Sequence, residues 1–231
     1  PHRRGRGMVG SRNLPTCNGN SKGRKMKLWS STTSPYVRKV RAAAIHHGLE
    51  NRIEPVTVKS SFAAESAHNQ DNPLGRIPVL QLDNGEWLFN SNVIAEYLDS
   101  VGQGAPLYPQ DASRWQVLNL HALAEGLLEN TVAMIAEKML RPENEWWTAR
   151  HEQIKQRNAR TVPVLAEHLQ PFGTQLNIGT LFAVCAVDFL LFRNNLTGAA
   201  GLAGISELKA WADEMNALHP CLAATKPRVS A

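Results

Sequence analysis

Three short stretches of this chain place hydroxyl, amide and proline groups where they could hold a ligand. The first, Ser31-Thr32-Thr33-Ser34-Pro35-Tyr36-Val37-Arg38-Lys39, joins a strand candidate at Lys27 to Ser31 to a helix expected from Tyr36 to about His47. Open amides and the positive end of the helix dipole make such a helix start an anion site. A thiol held there ionises more easily. Ser34 is the candidate hydroxyl, with Thr32 and Thr33 close enough to be rivals; the plain alternative is that Ser34 only caps the helix.

The second stretch is Asn72-Pro73-Leu74-Gly75-Arg76-Ile77-Pro78-Val79-Leu80, with a proline at the start of a strand run. Such a proline is usually an edge device. If the bond before it is cis, the main chain of Ile77 turns away from the sheet and can pair with an extended, peptide-like ligand. The third is Phe89-Asn90-Ser91-Asn92-Val93-Ile94, a strand end feeding a helix with Ser91 at its start. That arrangement suits a carboxylate, and an ordinary N-cap is again the simpler reading.

The elements that must position these groups alternate strand and helix up to residue 100. Ile53 to Val58 supplies a second strand, Ser60 to Gln70 a polar connection with one helical turn, and Ile77 to Leu82 and Trp87 to Phe89 flank the hairpin turn Asp83-Asn84-Gly85. In the first helix Val37, Val40, Ala44 and Ile45 share one face, and Arg38, Lys39 and Arg41 are expected outward or sideways. After a Gly- and Pro-rich linker at Gly102 to Pro109, helical periodicity takes over in Asp111 to Leu140, Glu143 to Leu169, Asn177 to Phe192 and Ser206 to Leu218. Asn177 is a good cap for the third of these, with Thr180 a weaker reciprocal partner than an acid.

The net charge of +5 invites a nucleic-acid reading, but seven basic residues and no acid lie within residues 1–25, leaving 18 basic against 20 acidic residues beyond. The basic segment is read as a disordered leader or tag, with Met26 opening the folded part. The longest nearly apolar run, Leu181 to Phe192, is too short and too polar to cross a bilayer. Three scattered cysteines argue against a disulfide framework, and adjacent His46 and His47 point about 100° apart on a helix, so neither metal nor redox chemistry is expected.

In their order and spacing the three stretches closely resemble the glutathione transferase family, with its Ser, Tyr or Cys at the first helix, its V/I-P-x-L strand with a cis proline, and its acid-or-Gln-Ser-x-x-I turn into the third helix. The resemblance covers Met26 to about Pro227. It implies an α/β plus all-α fold: a thioredoxin-like β-α-β-α-β-β-α domain at 26–101, a linker at 102–110, and an all-helical domain at 111–231. Ser34 matches the residue that contacts the glutathione sulfur in serine-type and zeta-like classes. Ser34-Pro35-Tyr36 also looks like the Cys-Pro-Phe of omega-like classes with Ser for Cys, so thiol–disulfide exchange is not expected there. Arg76 and Ile77, followed by Pro78, match the pair that binds the cysteinyl and glycyl part, and Asn90 and Ser91 match the γ-glutamyl pair. Asn90 departs from the usual Glu, Gln or Asp: it keeps an acceptor but carries no charge.

By the same resemblance the chain is a cytoplasmic, homodimeric detoxification enzyme that takes glutathione as co-substrate and a hydrophobic electrophile, with no other cofactor and no nucleic-acid or membrane partner. Tyr36, Trp115 and His121 are candidates for the electrophile site, alongside Met134, Trp146 and Trp147, although such residues on helices are more often core. A catalytically weak binding or regulatory protein, or a glutathione-dependent isomerase or dehalogenase, stays open.

Overall fold

The computed structural model describes residues 25–229, so the expected leader, Lys25 apart, lies outside the described residues. Strand β1 (Met26–Ser30) runs into helix α1 (Pro35–His46), which Ser34 caps and which starts on a proline, the position where the missing N–H costs least. β2 (Ile53–Thr57), the short α2 (His68–Asp71), β3 (Val79–Gln81), β4 (Trp87–Phe89) and α3 (Ser91–Val101) follow. The sheet order is β2-β1-β3-β4, with β2 parallel to β1 and the other pairs antiparallel. Pro55 is tolerated because β2 is an edge strand. Alternation along the strands separates two faces: Met26, Leu28 and Leu80 join the main core, while Trp29 and Val79 form a smaller cluster with Val37, Val58 and Ile77. Trp29 donates its indole N–H to Asp71 at 2.7 Å, which ties α2 to the sheet.

From residue 114 onward the described chain is helical: α4 (Arg114–Leu140), α5 (Thr148–Leu169), α6 (Ile178–Phe192), the short α7 (Asn194–Thr197), α8 (Ile205–Leu218) and the short α9 (Pro220–Ala223), with single 3-10 turns between some of them. α6 is buried on nearly all sides and packs on α4, α1 and α8. Its N-terminus closes a full capping box: the Thr180 amide donates to Asn177 Oδ1 and the Asn177 amide to Thr180 Oγ1, each at 2.9 Å. Threonine thus serves as the reciprocal partner. Gly179 lies against α4, where an added Cβ would meet the Val117 carbonyl at 2.6 Å.

Two expectations need correction. The periodic segment expected to be helical from Glu143 begins as a 3-10 turn (Glu143–Glu145) and becomes extended at Trp146 before α5 starts. Glu137 of α4 stabilises the new start by accepting from the Trp147 amide at 2.7 Å and facing His151 at 3.1 Å. Arg38 and Lys39 are buried, not outward: the helical half covers the face of α1 opposite the sheet. Arg38 reaches Asp188 of α6, Asn216 of α8 and the Leu222 carbonyl of α9. The linker is held by Asp99, which accepts from the Leu107 amide at 2.6 Å and lies 3.0 Å from His47.

Candidate functional site

The register of the sheet gathers the three candidate stretches. Trp29 of β1 stands opposite Val79 of β3, and Val79 opposite Phe89 of β4. Because both pairings are antiparallel, the end of β1, the start of β3 and the end of β4 lie at one edge. The chain leaves that edge into Ser31–Ser34, arrives at it through Arg76–Pro78, and leaves it again into Asn90 and Ser91. Three segments far apart in sequence thus open on one side of the sheet, two of them as helix N-termini whose dipoles favour negative charge.

At the first of these starts, Ser34 Oγ accepts from the Val37 amide at 3.3 Å. A hydroxyl carries one donor and two lone pairs, so this leaves its proton for a ligand. Pro35 has no N–H and the Arg38 amide reaches the Ser34 carbonyl, so the Tyr36 amide is the open donor of the first turn. Thr33 is engaged locally: its Oγ1 lies 3.2 Å from Ser31 Oγ, which also accepts from the Thr33 amide at 3.3 Å. The Thr32 carbonyl accepts from the Arg228 amide at 3.3 Å. Of the three candidate hydroxyls, Ser34 is the one that caps the start of α1.

The Ile77–Pro78 peptide bond is cis, as the sequence pattern leads one to expect. Asn72 pins the turn before it: buried at 1%, it donates to the Arg76 carbonyl at 2.7 Å and accepts from the Leu74 amide at 2.9 Å. The Arg76 side chain is exposed, whereas Ile77 and Pro78 are buried. At the third stretch Ser91 is buried, and Asn90 holds φ +70°, the one non-glycine residue with positive φ among the described residues. Its Oδ1 accepts from the Asn92 amide at 2.8 Å.

Positive φ costs a non-glycine residue about 1–3 kcal/mol, and asparagine tolerates it better than most. Asn90→Ala, which also loses the cap, is expected to destabilise the protein by about 1–3 kcal/mol. Asn90→Gly is expected near neutral, since relief of strain offsets about 0.5–1 kcal/mol of added chain entropy. Denaturant unfolding of the two variants checks this; an alanine variant as stable as the parent contradicts it.

Of the electrophile-site candidates, Tyr36 and His121 meet through Phe182 of α6: the Tyr36 ring is tilted on it at 5.9 Å and His121 stacks on it at 4.7 Å. Burial holds the Tyr36 phenol far above its ordinary range, with Glu129 and Glu125 of α4 pushing the same way and Arg76 opposing them. It remains a neutral hydroxyl. Burial, reinforced by Lys39, pushes His121 down to about 3, so at neutral pH it is an uncharged wall and no proton donor of imidazolium type. Trp115 stands apart, 75% exposed at the start of α4. Met134 is buried and Trp147 is 65% exposed.

Sequence reasoning missed the polar residues that support this edge: Asn72, Asn92, Lys39 and Glu125. Asn72 had a signal, an Asn-Pro pair opening a turn. Lys39 and Asn92 meet from α1 and α3, and Glu125 joins Asn92 from α4 of the helical half.

Residues 33–101 match the glutathione S-transferase N-terminal domain family. The chain is 32% identical over 180 residues to YibF, an uncharacterized GST-like protein of Escherichia coli, a match covering 75% of this chain and 86% of that one. It is 36% identical over 89 residues to the maleylacetoacetate isomerase of Pseudomonas aeruginosa, covering 38% of this chain and 39% of that protein. Among solved structures, a glutathione transferase family member from Pseudomonas fluorescens Pf-5 with bound glutathione superposes with a TM-score of 0.80 at 34% identity, over 89% of this chain and all of that one. A thioredoxin-like sheet with three turns gathered at one edge, a helical half packed on its first helix, and these likenesses together make the chain a member of the glutathione S-transferase family.

Proposed function

We propose that the chain is a glutathione transferase that binds glutathione along the sheet edge at Ser34, Arg76–Pro78 and Asn90–Ser91 and directs its thiolate at a hydrophobic electrophile. The observation that carries this is the Ser34 hydroxyl, bound as an acceptor at the start of α1 with its proton available to a sulfur anion. The bound glutathione in the Pseudomonas fluorescens structure supports the ligand. In this reading the Ile77 main chain pairs with the cysteinyl part and Ser91 with the γ-glutamyl carboxylate. The thiolate forms a bond to carbon, the leaving group departs with its electron pair, and the thiol proton passes to solvent. The partly exposed Tyr36 ring, backed by the buried Phe182 ring, supplies the apolar surface beside it. Glutathione is the only co-substrate, and a cytoplasmic homodimer is the assembly that goes with the family.

The partial likeness to an isomerase favours a second reading, in which glutathione adds to a small unsaturated acid and leaves again. Product analysis separates the two, since conjugation consumes glutathione and isomerisation regenerates it. Incubating the protein with glutathione and a chloronitrobenzene electrophile is expected to give a thioether at a rate above the uncatalysed one. Glutathione binding without turnover across a varied panel of electrophiles and unsaturated acids would replace both readings with that of a binding protein.

A further inference from the structure

Lys39 is 0% exposed and is among the largest fully buried side chains of the described residues. Its ammonium hydrogen-bonds Asn92 Oδ1 of α3, lies 3.2 Å from His121 Nε2 of α4, and sits 3.8 Å from the centre of the Phe182 ring of α6. Asn92 in turn donates its side-chain amide to both oxygens of Glu125 at 3.1 and 3.2 Å, while its main-chain amide is held by Asn90 Oδ1. One side chain on α1, five residues past Ser34, therefore grips the residue that follows Ser91. The two helix starts that face the ligand are tied to each other beneath the site and to the helical half.

We propose that Lys39 is a positioning residue whose ammonium fixes Asn92, and through it the Asn90–Ser91 turn, against the Ser34 end of α1, so that affinity for the γ-glutamyl end of glutathione depends on the charge of Lys39. The ligand in this statement rests on the glutathione reading above; the coupling of Lys39 to Ser91 does not.

The neighbours make Lys39 the group whose charge changes near neutral pH. Burial pushes its ammonium down to about 7, with the Glu125 carboxylate opposing. The titratable groups facing it are His121 and Glu125 of α4 and Cys185 of α6, while α3 presents the non-titrating Asn92. His121, at about 3, stays neutral and offers Nε2 as an acceptor to the ammonium. Burial pushes the Cys185 thiol up to about 11, so it stays protonated. Below about 7 Lys39 carries three donors and a charge, which strengthens its bond to Asn92 and its attraction to the Phe182 ring. Above that pH the amine is neutral, both attractions weaken, and Asn92 is left to its bonds with Glu125.

S-methylglutathione is the suitable probe, because its sulfur carries no titrating proton. Calorimetric titrations between about pH 5.5 and 8.5, a range that brackets neutrality, are expected to show wild-type affinity falling roughly three- to tenfold as pH rises. The midpoint should lie near 7. In Lys39→Met, which keeps the length and removes the charge, affinity is expected to be independent of pH. In the ligand-free wild type, the NMR shift of the Ser91 amide is expected to follow the titration of the Lys39 side chain. A Lys39→Met profile that matches the wild type, or a Ser91 amide that ignores the Lys39 midpoint, overturns the proposal. Should Lys39→Met fail to fold, the wild-type NMR titration decides alone. If S-methylglutathione binds at no pH, the glutathione reading falls, and the Ser91 titration still decides the positioning role.

Discussion

Ser34→Ala is expected to slow thiol conjugation at neutral pH by about ten- to a hundredfold while changing glutathione affinity little. A hydrogen bond to a charged partner contributes about 1.5–3 kcal/mol, and each 1.4 kcal/mol is about a factor of ten in rate. The hydroxyl of Ser34 accepts from the Val37 amide at 3.3 Å and has its proton to give. Its interaction with sulfur exists only when the sulfur is anionic, so its loss raises the bound thiol's pKa more than it weakens binding. The contacts proposed at Ile77 and Ser91 remain. The sign with pH follows: the variant's deficit is full where the wild-type thiol is ionised and the variant's is not, and it shrinks as rising pH ionises both. Losing the cap also costs the helix about 0.5–2 kcal/mol of stability, so rates belong with a melting curve that shows the variant folded. A pH–rate curve unchanged in Ser34→Ala but shifted in Thr32→Val or Thr33→Val would move the role to a neighbouring hydroxyl. If none of the three shifts it, the Tyr36 amide and the helix dipole act alone.

Removing the Arg38 guanidinium is expected to cost the fold about 3–5 kcal/mol, among the largest effects of any single polar truncation here. Arg38 is 4% exposed and donates to Asp188 at 2.8 Å, to Asn216 at 3.0 Å and to the Leu222 carbonyl at 3.3 Å. Asn216 also donates to the same Asp188 oxygen at 3.0 Å. Arg38→Ala would leave the Asp188 carboxylate, itself 13% exposed, against the apolar α6 with one neutral donor in place of two. The penalty is mostly that uncompensated charge, with the lost packing of the arginine stem added. For a chain of this size the fall in melting temperature should be roughly 6–20 °C. Replacing both partners, as in Arg38→Met with Asp188→Leu, is expected to recover much of the loss, because a buried pair stabilises little over apolar groups of similar volume. A cost below about 1 kcal/mol for Arg38→Ala, the value of an exposed pair, would show that water reaches this junction in solution.

What could be read from the sequence were the features set by local chemistry. Ser34 ahead of a proline, Asn90–Ser91 after a strand, and Asp83-Asn84-Gly85 between two apolar runs each fix backbone conformation within a few residues, and the elements they predicted are present with ends displaced by a residue or two. The cis proline was legible only through the resemblance, because Pro78 by itself reads as an edge device and the family's V/I-P-x-L strand is what implies the cis bond. The apolar run Leu181 to Phe192, too short and too polar to cross a bilayer, lies within the largely buried helix α6. The extended break at Trp146 was hidden, because its cause is Glu137, a residue of the preceding helix that caps the next one.

The tertiary structure alone decided which polar residues of α1 are interior. Periodicity assigns one apolar face to a helix, and α1 has that face on the sheet. Arg38 and Lys39 lie off it and read as solvated, yet α6, α8 and α9 cover the first, and Asn92, His121 and Phe182 enclose the second. Their partners lie between 53 and 184 residues away in sequence, so no local rule connects them. The same holds for the candidate site: the residue types were visible, but only the antiparallel register of β1, β3 and β4 brings them to one edge. Sequence determines local conformation through dihedrals and caps that act over a few residues, whereas burial of a charge depends on what the rest of the chain packs against it.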